Sequence, residues 1–228
     1  MRRSLFFIIV GLGGAAILVA LGAWQVQRLA WKEAIIADIN ARITAAPVAL
    51  PRDPDPQADA YLPVTVSGEI GAEALHVLVS QKQKGAGYRV IAPMTLEDSR
   101  RILVDLGFTA TANKDAIAPA GSATLTGNLQ WPQEVDSFTP EADTESNIWF
   151  ARDVEVMADT LNTEPLLVVV RDGSGPDPKI TPLPVDTARI PNDHLQYAIT
   201  WFSLAAIWLA MTVLFLRRRR APATPKVD

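Results

Sequence analysis

Two long apolar segments, one near each end of the chain, constrain the fold more than any other feature. Residues 5–23 (LFFIIVGLGGAAILVALGA) and 195–216 (LQYAITWFSLAAIWLAMTVLFL) are each long enough to cross a hydrocarbon layer of about 30 Å as a helix. Two arginines precede the first segment and four follow the second, so the positive-inside rule places both ends of the chain in the cytoplasm. The sequence therefore predicts two transmembrane helices with the middle of the chain outside.

The segment between the two predicted helices has 171 residues, which is enough for one compact domain with its own core. The first helix could instead belong to a signal peptide, but its apolar run is longer than usual and a helical pattern continues beyond it, so we favour an anchor. The predicted parts are a cytoplasmic N-terminus (1–4), transmembrane helix 1 (5–23), a periplasmic domain (24–194), transmembrane helix 2 (195–216) and a cytoplasmic basic tail (217–228).

Composition narrows the class of protein. The predicted outer domain carries 14 Lys and Arg against 24 Asp and Glu, and this acidic balance argues against binding to nucleic acid. The chain has no cysteine, which excludes disulfides, covalent haem attachment and thiolate metal sites. Only four residues precede the first apolar run, too few for a mitochondrial transit peptide, so we expect the inner membrane of a bacterium.

The outer domain reads mostly as strands, because short runs rich in β-branched residues alternate with Gly, Pro or Asp. One helix is expected, starting after Asp153 with Val154, Met157 and Leu161 on one face. The fold class is therefore an integral membrane α+β protein, with a small barrel or curled antiparallel sheet and one or two helices. The predicted strands are 62–70, 74–80, 88–96, 101–108, 123–131 and 166–171, and the predicted connecting loops are 47–63 and 172–191.

Candidate binding residues gather where the two apolar helices would leave the membrane. If the first helix continues to about Ile43, Trp24, Arg28 and Trp31 follow at spacings of four and three and share one face; we call these three residues the rim. His194 immediately precedes the second apolar run, so it is expected in nearly the same layer. Solvation alone also collects Trp, Arg and His at membrane interfaces, which leaves a purely anchoring role open.

Several motifs resemble those of the surfeit-locus-protein family of cytochrome c oxidase assembly factors. The opening stretch 21–32 (LGAWQVQRLAWK) and the closing stretch 192–202 (NDHLQYAITWF) resemble the two end signatures of that family. Residues 87–93 and 147–158 resemble its internal landmarks in the same order. The chain departs from the family at residues 104–108 (VDLGF), where the family usually carries Asn-Arg-Gly-Trp, so the arginine of that element is missing here.

The resemblance implies a non-enzymatic factor that binds haem a transiently and aids its insertion into subunit I of cytochrome c oxidase. A carrier for haem a needs access to lipid, cations for the propionates and a nitrogen ligand for the iron. We therefore hypothesise that His194 is the axial ligand and metal-binding residue. Arg28, with Lys32 or Arg189, would pair with the propionates, and Trp24, Trp31 and Trp201 would contact the macrocycle.

Alternatives from other classes remain open at this stage. The same fold could serve as a haem-free scaffold that holds oxidase subunits or recruits haem a synthase. With either function, the chain could form a homo-oligomer. A hydrolase would require a carboxylate pair within reach of His76, which we place at a polar position of a half-buried strand. The expected partners are thus subunit I, haem a synthase and membrane lipid.

Overall fold

The computed structural model describes residues 2–82, 84–173, 175–188 and 190–220. It divides into two compact units, one formed by both ends of the chain (1–38 and 188–228) and one by residues 39–187. Arg189 and residues 221–228, which include most of the predicted basic tail, lie outside the described residues. The two units are described in turn.

The first unit contains two long helices. Helix α1 spans Arg2–Thr44, and its last residues belong to the second unit; helix α3 spans His194–Arg220. Both are long and apolar enough to cross a membrane, within Leu5–Thr44 and His194–Arg218. Helix α1 runs without interruption because no proline occurs before Pro47. The expected continuation of the first helix to about Ile43 is confirmed.

The second unit is built on seven strands and one short helix. The strand order is β1-β2-β6-β7-β5-β4-β3, and β2 also pairs with β4. Five strands, β2, β6, β7, β5 and β4, therefore form a closed ring, which agrees with the predicted small barrel. The strands are β1 Val48–Ala49, β2 Pro63–Ile70, β3 Leu75–Gln81, β4 Gly85–Leu96, β5 Arg101–Ala110, β6 Gly121–Gln130 and β7 Leu167–Asp172.

The alternative of an antiparallel sheet is wrong for two of the strand pairs. Strands β5 and β7 are parallel, as are β1 and β2. A parallel pair needs a long crossover, and the chain between β5 and β7 supplies it through a short 3₁₀ helix (Thr111–Ala116), β6 and helix α2 (Val154–Leu161). All six predicted strands are present, and β1 was missed because two residues show no periodicity.

Two apolar cores hold this unit together. One core is formed by buried residues of the barrel strands, among them Val90, Val104 and Val168. The neighbouring residues Ile91, Leu103 and Leu167 belong instead to the second core, with helix α2. Because alternate residues of a strand point to opposite faces, these strands are apolar on both faces.

Helix α2 begins as predicted. The side chain of Asp153 accepts a hydrogen bond from the backbone N–H of Val156, which satisfies one of the free donors at the helix start. Val154, Met157 and Leu161 are buried against the second core, as their spacing indicated. Asn162 in the left-handed conformation ends the helix.

The end of α1 is fixed within the barrel unit. The carbonyl of Ile43 would lack an intrahelical partner this close to the helix end. It accepts hydrogen bonds from Asn128 Nδ2 at 3.0 Å and from Arg171 Nη1 at 2.7 Å. Asn128 is fully buried on β6 and donates its other amide proton to the carbonyl of Tyr61. One amide side chain therefore connects the end of the helix to the loop that precedes β2.

Candidate functional site

Helices α1 and α3 contact each other through small residues. A Cβ atom at Gly11 would clash with Thr212, and one at Gly14 would clash with the indole of Trp208. The close approach lets Trp208 donate a hydrogen bond from Nε1 to the carbonyl of Gly11 at 2.9 Å. Small residues at such positions are typical of helix pairs in membranes.

Two adjoining apolar grooves lie along this helix pair. The larger has a volume of about 490 Å³ and the smaller about 280 Å³, and both are bordered by Trp208 and Met211. Few polar atoms line either groove, so an apolar chain could lie there without leaving a buried polar group unpaired. The other lining residues of the larger groove are Gly14, Ile17, Leu18, Leu204 and Ile207.

His194, the first residue of α3, is joined to α1 by a hydrogen bond. Its Nδ1 lies 2.8 Å from Oε1 of Gln25. An amide oxygen can only accept, so Nδ1 carries the proton and the lone pair of the neutral ring lies on Nε2. His194 is half-buried, whereas Gln25 is only 9% exposed. The arrangement leaves Nε2 as the nitrogen that can bind a metal.

The rim is formed as its spacing predicted. The guanidinium of Arg28 lies over the ring of Trp31, 4.2 Å from its centroid, and Trp24 and Trp31 are 52% and 50% exposed. A stacked guanidinium uses its face, so its N–H groups stay available at the edges. Within the described part of the chain, no carboxylate pairs with Arg28.

The rim and the larger groove share one stripe of α1. Ile17, which lines the groove, precedes Trp24 by seven residues, and Arg28 and Trp31 follow Trp24 by four and seven. At 100° per residue these positions fall within a narrow sector of the helix. On α3, Leu204 of the same groove follows Tyr197 by seven residues. The larger groove and the rim therefore lie on the same side of α1.

The structure brings some of the predicted site residues together and leaves others apart. Arg28 and Trp31 are in contact, whereas Trp24 is exposed on the same face without a described partner. Lys32 and Trp201 are half-buried, and neither has a described hydrogen bond or ion pair. Arg189, the alternative to Lys32, lies outside the described residues.

Gln25 is the residue that sequence reasoning missed. It stands inside the opening stretch that resembles the family signature, but one residue after Trp24 and therefore about 100° away from the rim on the helix. A polar residue that directly follows an apolar run and faces away from the exposed aromatic side chains is the signal that could have pointed to it. Its partner on α3 could not be found from sequence alone.

The barrel unit contains a second group of charged side chains, here called the charge cluster: Arg89, Asp105, Glu134 and Arg152. Asp105 is fully buried on β5; its Oδ2 lies 2.5 Å from Arg89 Nη1 and 3.5 Å from Arg152 Nη1. Glu134 accepts hydrogen bonds from the side chain and the backbone N–H of Arg152. Arg152 thus links the two carboxyl groups, and Arg89 contacts Asp105 as well.

The pKa shifts within the charge cluster follow from these contacts. Burial by itself would raise the pKa of Glu134, but the hydrogen bonds and charge of Arg152 outweigh it and hold that pKa below its ordinary value. Burial would likewise lower the pKa of Arg152, and Glu134 together with Asp105 raises it instead. Glu134 and Arg152 are therefore ionised at neutral pH and hold each other in place.

The segment that departs from the family pattern, residues 104–108, contains one member of this cluster, Asp105. Asp105 Oδ1 accepts the backbone N–H of Gly107, and Leu106 is buried in the first core. Gly107 has φ +118°, and a Cβ atom there would clash with the carbonyl of Thr181, which pairs with Phe108. Gly107 and Phe108 therefore have a structural role, which is to hold the segment around Thr181 against β5.

His76 is buried, so its predicted place at a polar position of a half-buried strand is wrong. It is 7% exposed because Asn147 and Trp149, from the loop between β6 and α2, cover β3. Its Nδ1 lies 3.1 Å from Asn147 Nδ2. Burial, and then the charge of Lys114, lower the pKa of His76, so the ring is neutral at neutral pH.

A hydrolytic or metal centre would need further groups around the histidines. The hydrogen-bond partner of His76 is the amide of Asn147 and not a carboxylate. Among residues 2–82, 84–173, 175–188 and 190–220, no three His, Asp or Glu side chains come together in a way that could hold a metal ion. A group that brings its own metal, with one open coordination position for Nε2 of His194, does not need such a set.

These features define a class of protein: a closed mixed barrel flanked in sequence by two apolar helices, with an open imidazole, an unpaired cation and apolar grooves on the helix pair. The chain belongs to the SURF1 family, whose model matches residues 12–206. It is 34% identical to a SURF1-like protein of Monosiga brevicollis, over 87% of this chain and 83% of the relative.

Other relatives agree with this assignment. Surfeit locus protein 1 of Homo sapiens is 32% identical over 82% of this chain and 69% of its own length. A SURF1-like protein of the bacterium Rickettsia felis is 28% identical over 88% of this chain and 92% of its own length. The resemblance that the sequence motifs indicated is confirmed.

Proposed function

We propose that this protein binds haem a transiently and aids its insertion into subunit I of cytochrome c oxidase. Membership of the SURF1 family implies a role in the assembly of that oxidase. The observation that most directly supports haem binding is the bond from His194 Nδ1 to Gln25 Oε1, which leaves Nε2 as a free ligand nitrogen. Bound haem a would supply an iron that takes a nitrogen ligand.

The residues present fit the chemistry of haem a. Its iron needs a nitrogen ligand, for which we propose His194. Its propionates need cations, for which we propose Arg28 and, more weakly, Lys32. Its farnesyl tail needs an apolar channel, and the grooves bordered by Trp208 meet that need. Trp24, Trp31 and Trp201 offer apolar faces for the ring.

A single histidine suits a carrier that must release its cargo. A haem iron with two protein ligands would be held more tightly, whereas one ligand leaves a position open for the receiving protein. The exposure of Trp24, Trp31 and Arg28 supports the same interpretation, because a side chain that is already open to its surroundings can pass on a ligand without unfolding.

We further propose that α1 and α3 cross a bacterial inner membrane, with the barrel unit in the periplasm and both chain ends in the cytoplasm. Their length and apolar composition and the arginines outside both apolar runs support this topology. The bacterial relatives support the choice of membrane. Expected partners are subunit I, haem a synthase and membrane lipid.

A scaffold without haem remains the second candidate function. The exposed side chains of Phe138 and Val135 on the loop before α2, together with the acidic surface, would then contact oxidase subunits or haem a synthase. The rim would only seat the helices in the membrane. The two functions differ in whether His194 matters for haem content.

The deciding experiment is the absorption spectrum of the purified full-length protein after co-expression with the enzymes that make haem a. We expect a reduced haem a band in the wild type and its loss in His194→Gln, while His76→Gln, the same substitution at the other histidine, keeps the band per folded protein. Unchanged haem in His194→Gln would contradict the ligand assignment. Absence of haem from the wild type, with oxidase subunits co-purifying, would favour the scaffold.

A further inference from the structure

The hydrogen bond between Gln25 and His194 bears on which nitrogen of the imidazole can bind a metal. The side chain of Gln25 is nearly buried, and its Oε1 lies 2.8 Å from Nδ1 of His194. Burial of an amide is costly unless it is hydrogen-bonded, so this contact also contributes to holding α1 and α3 in register.

The orientation of the amide decides the tautomer of the histidine. With Oε1 towards Nδ1, as in the structure, the ring must donate from Nδ1, and Nε2 keeps its lone pair. With the amide reversed, Gln25 would donate to Nδ1, and the ring proton would lie on Nε2, where it would block metal binding. A single rotation of one side chain therefore separates a competent ligand from an incompetent one.

We propose that Gln25 is a positioning residue that holds His194 in the Nδ1–H tautomer and thereby presents Nε2 to the iron of haem a. This inference rests on the proposed function, because it assumes that His194 is the ligand. Gln25 acts through His194 and touches no part of the haem. The role of Gln25 follows from its contact with His194, because Gln25 carries no charge and belongs to no metal-ligand motif.

A hydrogen-bond acceptor at Nδ1, the imidazole nitrogen that does not bind the metal, also changes the strength of the histidine as a ligand. A metal-bound histidine that donates its other N–H becomes a better electron donor, and loss of such a partner typically costs about 10–100-fold in metal affinity. A neutral amide is a weaker acceptor than a carboxylate. Gln25 therefore fixes the ring orientation with only a modest gain in basicity, which suits a haem that has to leave again.

The first test needs no haem. The ¹⁵N chemical shifts of the imidazole nitrogens are recorded for the full-length protein in detergent, at about two pH units above the ordinary imidazole pKa of about 6.5. We expect His194 in the Nδ1–H form in the wild type and a mixture of both forms in Gln25→Met. The control is Gln27→Met, the same change at an exposed position of the same helix, which should leave the spectrum unchanged.

The second test uses haem a itself, added to purified protein and followed by titration and by the midpoint potential of the bound iron. Gln25→Met should bind haem a about 10–100-fold more weakly and raise the potential. Gln25→Glu, which keeps an acceptor and adds charge, should lower the potential. Because a purely packing role would not move the potential in opposite directions in these two variants, this pair separates positioning from packing.

The outcomes also separate this inference from the proposed function. A wild-type protein that takes up no haem a would overturn the proposed function, whatever the tautomer of His194. Haem bound through His194 with unchanged potentials in both Gln25 variants would overturn the role of Gln25 alone. An Nε2–H tautomer in the haem-free wild type would do the same, even if Gln25→Met proves too unstable to purify.

Discussion

The arginines of the charge cluster and the arginine of the rim have opposite surroundings. In the charge cluster of the barrel, Arg89 and Arg152 are largely buried and each contacts a carboxylate. In the rim, Arg28 is exposed and lies over the ring of Trp31, and no ion pair of Arg28 occurs among the described residues. A buried, paired cation stabilises one fold because removing its partner is costly, whereas an exposed cation without a carboxylate keeps its donors for a ligand. The difference indicates a structural role for Arg89 and Arg152, and it supports the binding role that we propose for Arg28.

The two histidines show the same contrast. His76 is buried under a loop, and its Nε2 has no hydrogen-bond partner. His194 is half-buried, and its Nδ1 is held while Nε2 stays open. An imidazole enclosed by protein cannot reach a large planar ligand, so only His194 is suited to bind one.

The largest expected effect tests the structural side of this comparison. Asp105→Asn leaves two buried guanidinium groups with less compensating charge, and we expect a loss of about 3–5 kcal/mol in the free energy of unfolding. Chemical denaturation of the full-length protein in detergent measures it. Asp172→Asn is the matched control, because the Asp172 side chain, which pairs with Arg171, is 71% exposed; its loss should change stability by no more than about 1 kcal/mol. Equal effects of the two variants would contradict the structural role of the charge cluster.

The next effect tests the binding side. Arg28→Met removes charge-assisted hydrogen bonds worth about 1.5–3 kcal/mol, so we expect haem a affinity to fall about 10–100-fold, measured by titration. The free energy of unfolding should change by less than about 0.5 kcal/mol, as for other exposed positions. Arg52→Met, at another exposed arginine, controls for general loss of charge. If Arg28→Met lowered stability and left haem affinity intact, the two sets of arginines would not differ as proposed.

A pH titration sharpens the comparison of the histidines. The pKa of His76 lies below its ordinary value of 6.5 because of burial, so below that pH the unfolded chain binds a proton that the folded chain does not. Stability should therefore fall as the pH is lowered through this window, by at most about 1.4 kcal/mol per pH unit. His76→Gln should remove this part of the slope in denaturation curves recorded between neutral and mildly acidic pH. An identical slope in both proteins would show that another group titrates.

The smallest effect concerns Lys32. It is a compact charge on a flexible stem without a stacked ring, so Lys32→Met should weaken haem a binding by less than about fivefold, as expected for a loosely held ion pair. The same titration as for Arg28→Met measures it. A loss as large as that of Arg28→Met would mean that both cations hold the propionates together.

Much of the fold followed from local patterns. The six longer strands, the start of α2 at Asp153 and the extension of α1 to Thr44 were all indicated by residue periodicity, capping and the absence of proline. Strand β1 was not indicated, because its two residues show no periodicity. The parallel pairing of β5 with β7 was not indicated either, because pairing joins residues that are distant in sequence. The burial of His76 was not predicted for the same reason, since the loop around Trp149, which is distant in sequence, covers it.

The candidate site divides in the same way. The sequence by itself determined the rim, because Trp24, Arg28 and Trp31 belong to one helix and their spacing alone sets their common face. Only the tertiary structure decided the partner of His194 and the grooves beside Trp208, because these need two helices to meet. The charge cluster likewise unites residues from β4, β5 and the loop before α2. Periodicity describes one element at a time, whereas contacts between elements depend on how their side chains pack.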